Sequence, residues 1–182
     1  GHVCVVTGGG RGIGEGIALC MAEAGADVVV AARRKHDVES VVQKIEDRGR
    51  RGLAVSIDLM EKNAVRELVD AAVNKFGKIS IWVNNAGGSE SSETYYIDET
   101  PVDYWEWMIK FNLTIPFEGA KWAIPHIPEN GSIINIVSGA GLNAAPHTGA
   151  YGAAKAGVIN LTMTLSEELG PKRIRVNAIA PG

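Results

Sequence analysis

Short apolar runs rich in β-branched residues alternate along the whole chain with longer stretches in which apolar positions recur every three or four residues. The short runs, residues 3–7, 27–32, 53–57, 79–84, 132–138 and 175–178, are predicted to be strands. The longer stretches, 12–24, 35–48, 61–76, 101–124 and 150–169, are predicted to be helices; in the third, Val65, Leu68, Val69 and Ala72 fall on one face. The strands read as nearly continuous apolar runs rather than alternating ones, which is the signature of a sheet covered on both faces. Strands that alternate with helices make parallel pairs joined by right-handed crossovers. The predicted fold is therefore α/β, a doubly wound parallel sheet.

No linker or repeat divides the chain, and 182 residues are one domain's worth. One irregular insert stands out at 89–100, sequence SESSETYYIDET, whose Glu90, Glu93, Asp98 and Glu99 have no basic residue among them.

Composition narrows the function. With 46% hydrophobic and 21% charged residues the chain matches an ordinary globular protein, which excludes disorder. A formal charge of −3, with Lys and Arg scattered, provides no electrostatic footprint for nucleic acid or an anionic membrane, so a small-molecule partner is expected. Apolar runs fall far short of the roughly 18 residues needed to span a bilayer, and no leader opens the chain; the expected location is cytoplasmic. Cys4 and Cys20 lack metal-site spacing and are expected to be buried free thiols, with no metal bound. Glycine, at 22 of 182 residues, exceeds the usual ~7% and collects at the ends of apolar runs, where a backbone turns tightly or approaches a ligand.

The first such collection is TGGGRGIG, Thr7 to Gly14, between the first strand and the first helix. There glycines serve the turn, the approach to a pyrophosphate and close helix packing, while the helix N-terminus provides N–H groups and partial positive charge for phosphates. A dinucleotide is the expected ligand. The residue ending the second strand in such folds selects the cofactor, and here the strand ends Ala31-Ala32-Arg33-Arg34 with no acid to accept ribose hydroxyls. Arg33, helped by Arg34 or Arg11, is expected to bind a 2′-phosphate, favouring NADP over NAD; solvated surface arginines are the alternative. Asp58, past the third strand, is placed to meet the adenine amino group or to cap a helix.

Tyr151 and Lys155 lie four apart in a helical pattern and so share a face, and Ser138 stands at the end of the fifth strand, where parallel sheets form their ligand crevice. A phenol holds its proton at neutral pH, with a pKa of about 10, and a neighbouring ammonium favours the phenolate. This trio is expected to act as general acid/base, its supporting cation and a hydrogen-bond donor to a carbonyl oxygen on which charge develops.

Together these motifs resemble the short-chain dehydrogenase/reductase family. The match comprises TGxxxGxG at Thr7 to Gly14, NNAG at Asn84 to Gly87, Asn112 in FNLT, Ser138, YxxxK at Tyr151 and Lys155, and the pair Pro181-Gly182, and it runs through essentially the whole chain. The resemblance implies a Rossmann fold and hydride exchange between a nicotinamide dinucleotide and a ketone or secondary alcohol. Tyr151 would be the acid/base; Lys155 would stabilise its phenolate and hold the nicotinamide ribose. Ser138 would polarise the substrate, and Asn112 would kink its helix to support a proton-relaying water. It implies a cofactor surface made of Gly8, Gly10, Arg11, Gly12, Ile13, Gly14, Arg33, Arg34, Asp58, Leu59, Asn85, Ala86, Gly87, Tyr151, Lys155, Pro181 and Gly182.

It also implies homodimers or homotetramers built on helices 101–124 and 150–169, where Trp105, Trp107, Trp122 and Met163 are either core or contact residues. Family members continue beyond the Pro-Gly pair with a lid and a seventh strand. The chain is accordingly expected to be part of a longer protein, a single NAD(P)-binding domain truncated at its C-terminus.

The expected substrate wall is Gly88 and Ser89, the small residues of 139–148, among them Asn143 and Ala145, and the insert tyrosines Tyr95 and Tyr96, which either stack on substrate or brace the loop. His147 either lines this pocket or faces solvent. Reduction of a 3-oxoacyl group on an acidic carrier protein ranks below reduction of a free ketone, because the insert is acidic. A non-catalytic dinucleotide sensor would not need the intact trio, and a serine hydrolase is excluded by Ile136, which stands where a nucleophile elbow requires glycine.

Overall fold

The computed structural model describes residues 1–89 and 94–181. Six parallel strands, β1 (Val3–Thr7), β2 (Asp27–Ala32), β3 (Gly52–Ser56), β4 (Ile81–Asn84), β5 (Ser132–Ile136) and β6 (Arg175–Ile179), form one sheet in the order β3-β2-β1-β4-β5-β6. The helices are α1 (Gly12–Glu23), α2 (Lys35–Glu46), α3 (Ala64–Phe76), α4 (Val102–Ile109), α5 (Ile115–Ala123) and α6 (Gly149–Leu169). The doubly wound Rossmann architecture expected from the alternation is present.

Side chains alternate across β1 into two cores. Cys4 and Val6 join Ala18, Ala22, Val38, Val41 and Ile45 beneath α1 and α2. Val5 joins Val65, Leu68, Ala72, Ile115, Ala120 and Leu165 beneath α3, α5 and α6. Burial on both faces is why the central strands β1 and β2 carry no polar alternation, whereas the edge strand β6 exposes Arg175 and Asn177. Among the described residues no helix is long and apolar enough to cross a membrane.

Several element ends differ from the sequence expectation, each for a local reason. The β5 ladder stops at Ile136; Val137 N–H still reaches the Ile179 carbonyl at 2.8 Å, and Ser138 then caps a 3₁₀ turn, Gly139–Gly141. β4 begins at Ile81; before it, Ile79 donates to the His126 carbonyl outside the sheet, while Ser80 N–H already reaches the Val3 carbonyl of β1 at 2.8 Å. α3 begins at Ala64 because Asn63 takes a left-handed conformation, φ 66°. The expected helix 101–124 is divided by a widened π turn, Lys110–Thr114. Cys4 is buried, but Cys20 is exposed, contrary to expectation: α1 buries only Gly14, Ala18 and Ala22, a stripe that does not include it.

A polar thread crosses the second core. Trp82 Nε1 donates to Asn84 Oδ1 at 2.7 Å, Asn84 Nδ2 to the Pro116 carbonyl at 3.1 Å and to Asn135 Oδ1 at 2.8 Å, and Asn135 Nδ2 to Thr162 Oγ1 at 2.8 Å. Every member is buried and bonded, so the thread ties β4, β5, α5 and α6 in one arrangement instead of destabilising the core.

Candidate active site

Strand order reverses between β1 and β4, so the crevice opens beyond their carboxyl ends. The two ends are joined there by side chains. The Thr7 hydroxyl donates to the Val83 carbonyl at 3.1 Å and accepts from the Asn85 and Ala86 N–H groups, both at 3.0 Å. Asn85 Nδ2 returns bonds to the carbonyls of Thr7 at 2.9 Å and Gly8 at 3.2 Å. In the sequence Thr7 stands out only as the first residue of the glycine turn, a hydroxyl ending an otherwise apolar strand.

The glycine turn has a closed back and an open front. A Cβ on Gly14 would overlap the Gly8 carbonyl and stand 2.5 Å from Asn85 Nδ2, so only hydrogen lets α1 pack this close. Gly12 has φ 56° and nothing within 4 Å of the Cβ position, at the N-terminus of α1. Free space, open N–H groups and a helix dipole at one point fit a dinucleotide's phosphates. At the end of β2 both Arg33 and Arg34 are exposed. Arg34 pairs with Asp37 at 3.0 Å, whereas the Arg33 guanidinium makes no ion pair among the described residues. Asp58 Oδ1 accepts from Met60 N–H at 2.9 Å, closing a turn that Lys110 Nζ also grips through the Met60 carbonyl at 2.6 Å. Asp58 thus caps a turn and not α3, which starts further on; Leu59 beside it is buried.

Asn112 lies fully buried in the π turn, where Ile115 N–H reaches back to the Lys110 carbonyl. Its amide donates to the Met108 carbonyl at 3.2 Å and the Gly88 carbonyl at 3.0 Å, and its Oδ1 accepts from Gly88 N–H at 2.8 Å. A Cβ on Gly87 would stand 2.8 Å from Asn112 Oδ1 and 3.1 Å from Lys155 Nζ, so the loop after β4 passes between these two side chains.

Lys155 is only 4% exposed, and its Nζ donates to the Ile136 carbonyl at 3.0 Å. The ammonium lies 5.5 Å from the centroid of the Tyr151 ring. Burial pulls the Lys155 pKa down from 10.5 to about 8. Ser138, half-buried and just beyond Ile136 on the same strand end, accepts from Ala140 N–H at 3.2 Å, which leaves its own O–H free to donate.

The structure therefore brings Ser138, Tyr151, Lys155, Asn112 and Gly87 to one end of the sheet. Tyr151 shares a small cleft with Tyr95, Thr100, Tyr104, His147 and Thr148. Asn143 and Ala145, expected as substrate contacts, line a cavity of about 330 Å³ with Gly149, Gly152, Ala153 and Ala156 of α6. The insert tyrosines brace the loop: Tyr96 packs on His147 with ring centroids 4.4 Å apart, and Tyr95 meets Tyr104 edge-on at 5.1 Å. Pro181 is half-buried past β6, while Gly182, Glu90 and Glu93 lie outside the described residues.

A sequence profile of the family described as short chain dehydrogenase matches residues 2–182. The 3-oxoacyl-(acyl-carrier-protein) reductase of Thermotoga maritima is 34% identical over 184 residues, spanning 100% of this chain and 74% of that protein. Carveol dehydrogenase from Mycobacterium avium, solved in complex with NAD, superposes with a TM-score of 0.94 at 32% identity, covering 100% of this chain and 70% of that one. A short chain dehydrogenase from Burkholderia cenocepacia, solved with NADP, gives 0.93 at 33% identity over 100% of this chain and 74% of that one. With the sheet order, the glycine turn and the Ser138, Tyr151 and Lys155 arrangement, these matches show that the chain belongs to the short-chain dehydrogenase family of NAD(P)-dependent oxidoreductases acting on alcohol and carbonyl groups.

Proposed function

We propose that this chain interconverts a free ketone and its secondary alcohol with NADP(H), using Tyr151 as general acid/base. The observation that carries this reading is the buried Lys155 ammonium, 5.5 Å from the Tyr151 ring and bonded to the strand end that presents Ser138. In the reducing direction Tyr151 gives its phenolic proton to the carbonyl oxygen as the C=O π pair moves onto that oxygen. Ser138 donates a hydrogen bond to the same oxygen while charge develops there. The phenolate left on Tyr151 is stabilised by the Lys155 charge across a poorly solvated space, and oxidation runs these steps backward. Asn112 keeps the Gly87-Gly88 loop against Lys155 through its paired bonds to Gly88. The turn from Gly8 to Gly14, the Asp58-Leu59 turn and the loop from Asn85 to Gly87 would hold the nicotinamide dinucleotide, which supplies or accepts the hydride when bound.

Arg33 supports the NADP preference: its exposed, uncommitted guanidinium stands where β2 ends, and Arg34 beside it is already paired with Asp37. A free substrate is favoured over a carrier-bound one by Asp98 and Glu99, exposed in the 3₁₀ turn Ile97–Glu99 beside the Tyr151 cleft, which would repel an acidic carrier. Partly exposed apolar side chains on the helices flanking the site, Trp105 at 37%, Phe117 at 45% and Met163 at 56%, support assembly into homodimers or homotetramers. The test is NADPH oxidation over a panel of free and carrier-linked ketones, with wild type and Tyr151→Phe. Turnover of a free ketone that the substitution abolishes, with NADPH binding retained, is expected; an unchanged rate removes Tyr151 from the mechanism.

A further inference from the structure

We infer that residues 95–97 are a positioning strap for Tyr151, fastened by the Tyr96–His147 ring pair. The inference rests on Tyr151 being the acid/base.

The strap meets the turn that launches α6. His147 holds φ 64°, a left-handed conformation that costs a residue with a Cβ free energy unless its surroundings impose it. The N-cap residue of α6, Thr148, makes no side-chain cap bond; its hydroxyl donates instead to the Ala145 carbonyl at 3.3 Å. The entry into the helix is thus both strained and uncapped, and Tyr151 stands in the first turn that follows.

Three consecutive residues supply what the turn lacks. Tyr95 N–H donates to the His147 carbonyl at 3.0 Å, and Tyr95 pairs with Thr148 in a parallel bridge. The Tyr96 ring packs on the His147 ring at 4.4 Å with an interplanar angle of 56°. Ile97 Cδ1 lies 2.8 Å from where a Gly149 Cβ would stand, so its side chain fills the space beside the first helical residue. The strap is itself anchored, because the Thr100 hydroxyl and Glu99 N–H both donate to the Tyr96 carbonyl, at 2.9 and 3.1 Å. The Tyr95–Tyr104 edge contact carries that anchorage to α4. His147 and Tyr151 line one small cleft, and the Tyr96–His147 ring pair acts on Tyr151 through the turn that launches α6, which makes the two positioning residues and not catalytic ones.

A double-mutant cycle tests this. With the free ketone that wild type reduces fastest, Tyr96→Ala is expected to lower kcat about three- to ten-fold, the range an aromatic pair supports, with KM for NADPH and fluorescence-detected NADPH binding unchanged. Tyr96→Phe, which keeps the ring pair, restores kcat. In a His147→Gly background, where glycine adopts the turn without help, Tyr96→Ala changes kcat by less than about two-fold. An undiminished kcat in Tyr96→Ala, or an equal loss in both backgrounds, overturns the strap. Turnover that survives Tyr151→Phe defeats the acid/base reading instead, and an inactive Tyr151→Phe with an additive cycle defeats only the strap.

Discussion

Lys155 Nζ donates to the Ile136 carbonyl at 3.0 Å, fixing a buried ammonium to the strand end that also presents Ser138. The bond orients the charge toward Tyr151 but does not offset the loss of its water, which is why burial pulls the lysine pKa down to about 8. Function is therefore set against stability at this position.

Lys155→Met should separate the two. Below pH 8 the lysine is protonated in both states and the folded chain bears the full desolvation cost, roughly 3 kcal/mol from the shift. Between pH 8 and the ordinary lysine value only the unfolded chain keeps the proton, so wild-type stability rises with pH. The ligand-free methionine variant is expected to resist urea better than wild type at pH 7, by about 1–3 kcal/mol, with the gap closing by pH 10 and turnover absent. A variant less stable than wild type at pH 7 contradicts this account.

Asp27 has the opposite sign. Burial raises its pKa, but the side-chain and main-chain bonds from Arg51 and the nearby Arg50 charge outweigh that and leave it lowered. The carboxylate contributes stability above its unfolded pKa of about 3.9, lost as pH falls through the folded value. Asp27→Asn should cost about 1–3 kcal/mol at pH 7, and the difference from wild type should shrink in acid. Urea titrations at pH 7 and pH 3 measure both.

Gly14→Ala and Gly12→Ala should fail differently. A methyl at Gly14 collides with the turn itself, so the ligand-free protein should lose about 2 kcal/mol or more. A methyl at Gly12 meets only a disfavoured φ, with a cost of about 1 kcal/mol, but projects into the open space where the dinucleotide's phosphates are proposed to sit. Unfolding curves should rank Gly14→Ala the worse, while NADPH titration should show that Gly12→Ala loses far more affinity than its stability explains.

Arg33→Ala should raise KM for NADPH about ten-fold or more and leave KM for NADH within about two-fold, since in the proposed complex only the 2′-phosphate meets that guanidinium. Equal effects on both cofactors would mean that Arg33 is an ordinary surface residue.

The alternation of β-branched runs with amphipathic stretches made six strands of a parallel, doubly wound sheet legible, because strands that alternate with helices are joined by crossovers, while their order in the sheet was decided only by the fold. The pair Tyr151 and Lys155 was legible for a similar reason: helical periodicity alone puts them on one face. Element ends were less legible. The change at Lys110–Thr114 is betrayed only by Asn112 at a buried position, and the start of α3 depends on the backbone angle of one asparagine.

What the sequence determined by itself is thus what short-range periodicity and local motif spacing can encode: the layered fold, the glycine turn between β1 and α1, and the shared helix face of Tyr151 and Lys155. Only the tertiary structure decided that Thr7 and Asn85 join two strand ends, that Lys155 is buried against Ile136, and that Tyr95 and Tyr96 hold the His147 turn. These are contacts between residues far apart in the chain, mostly through main-chain carbonyls and N–H groups that every residue type carries. No pattern of side chains marks them until the chain is folded.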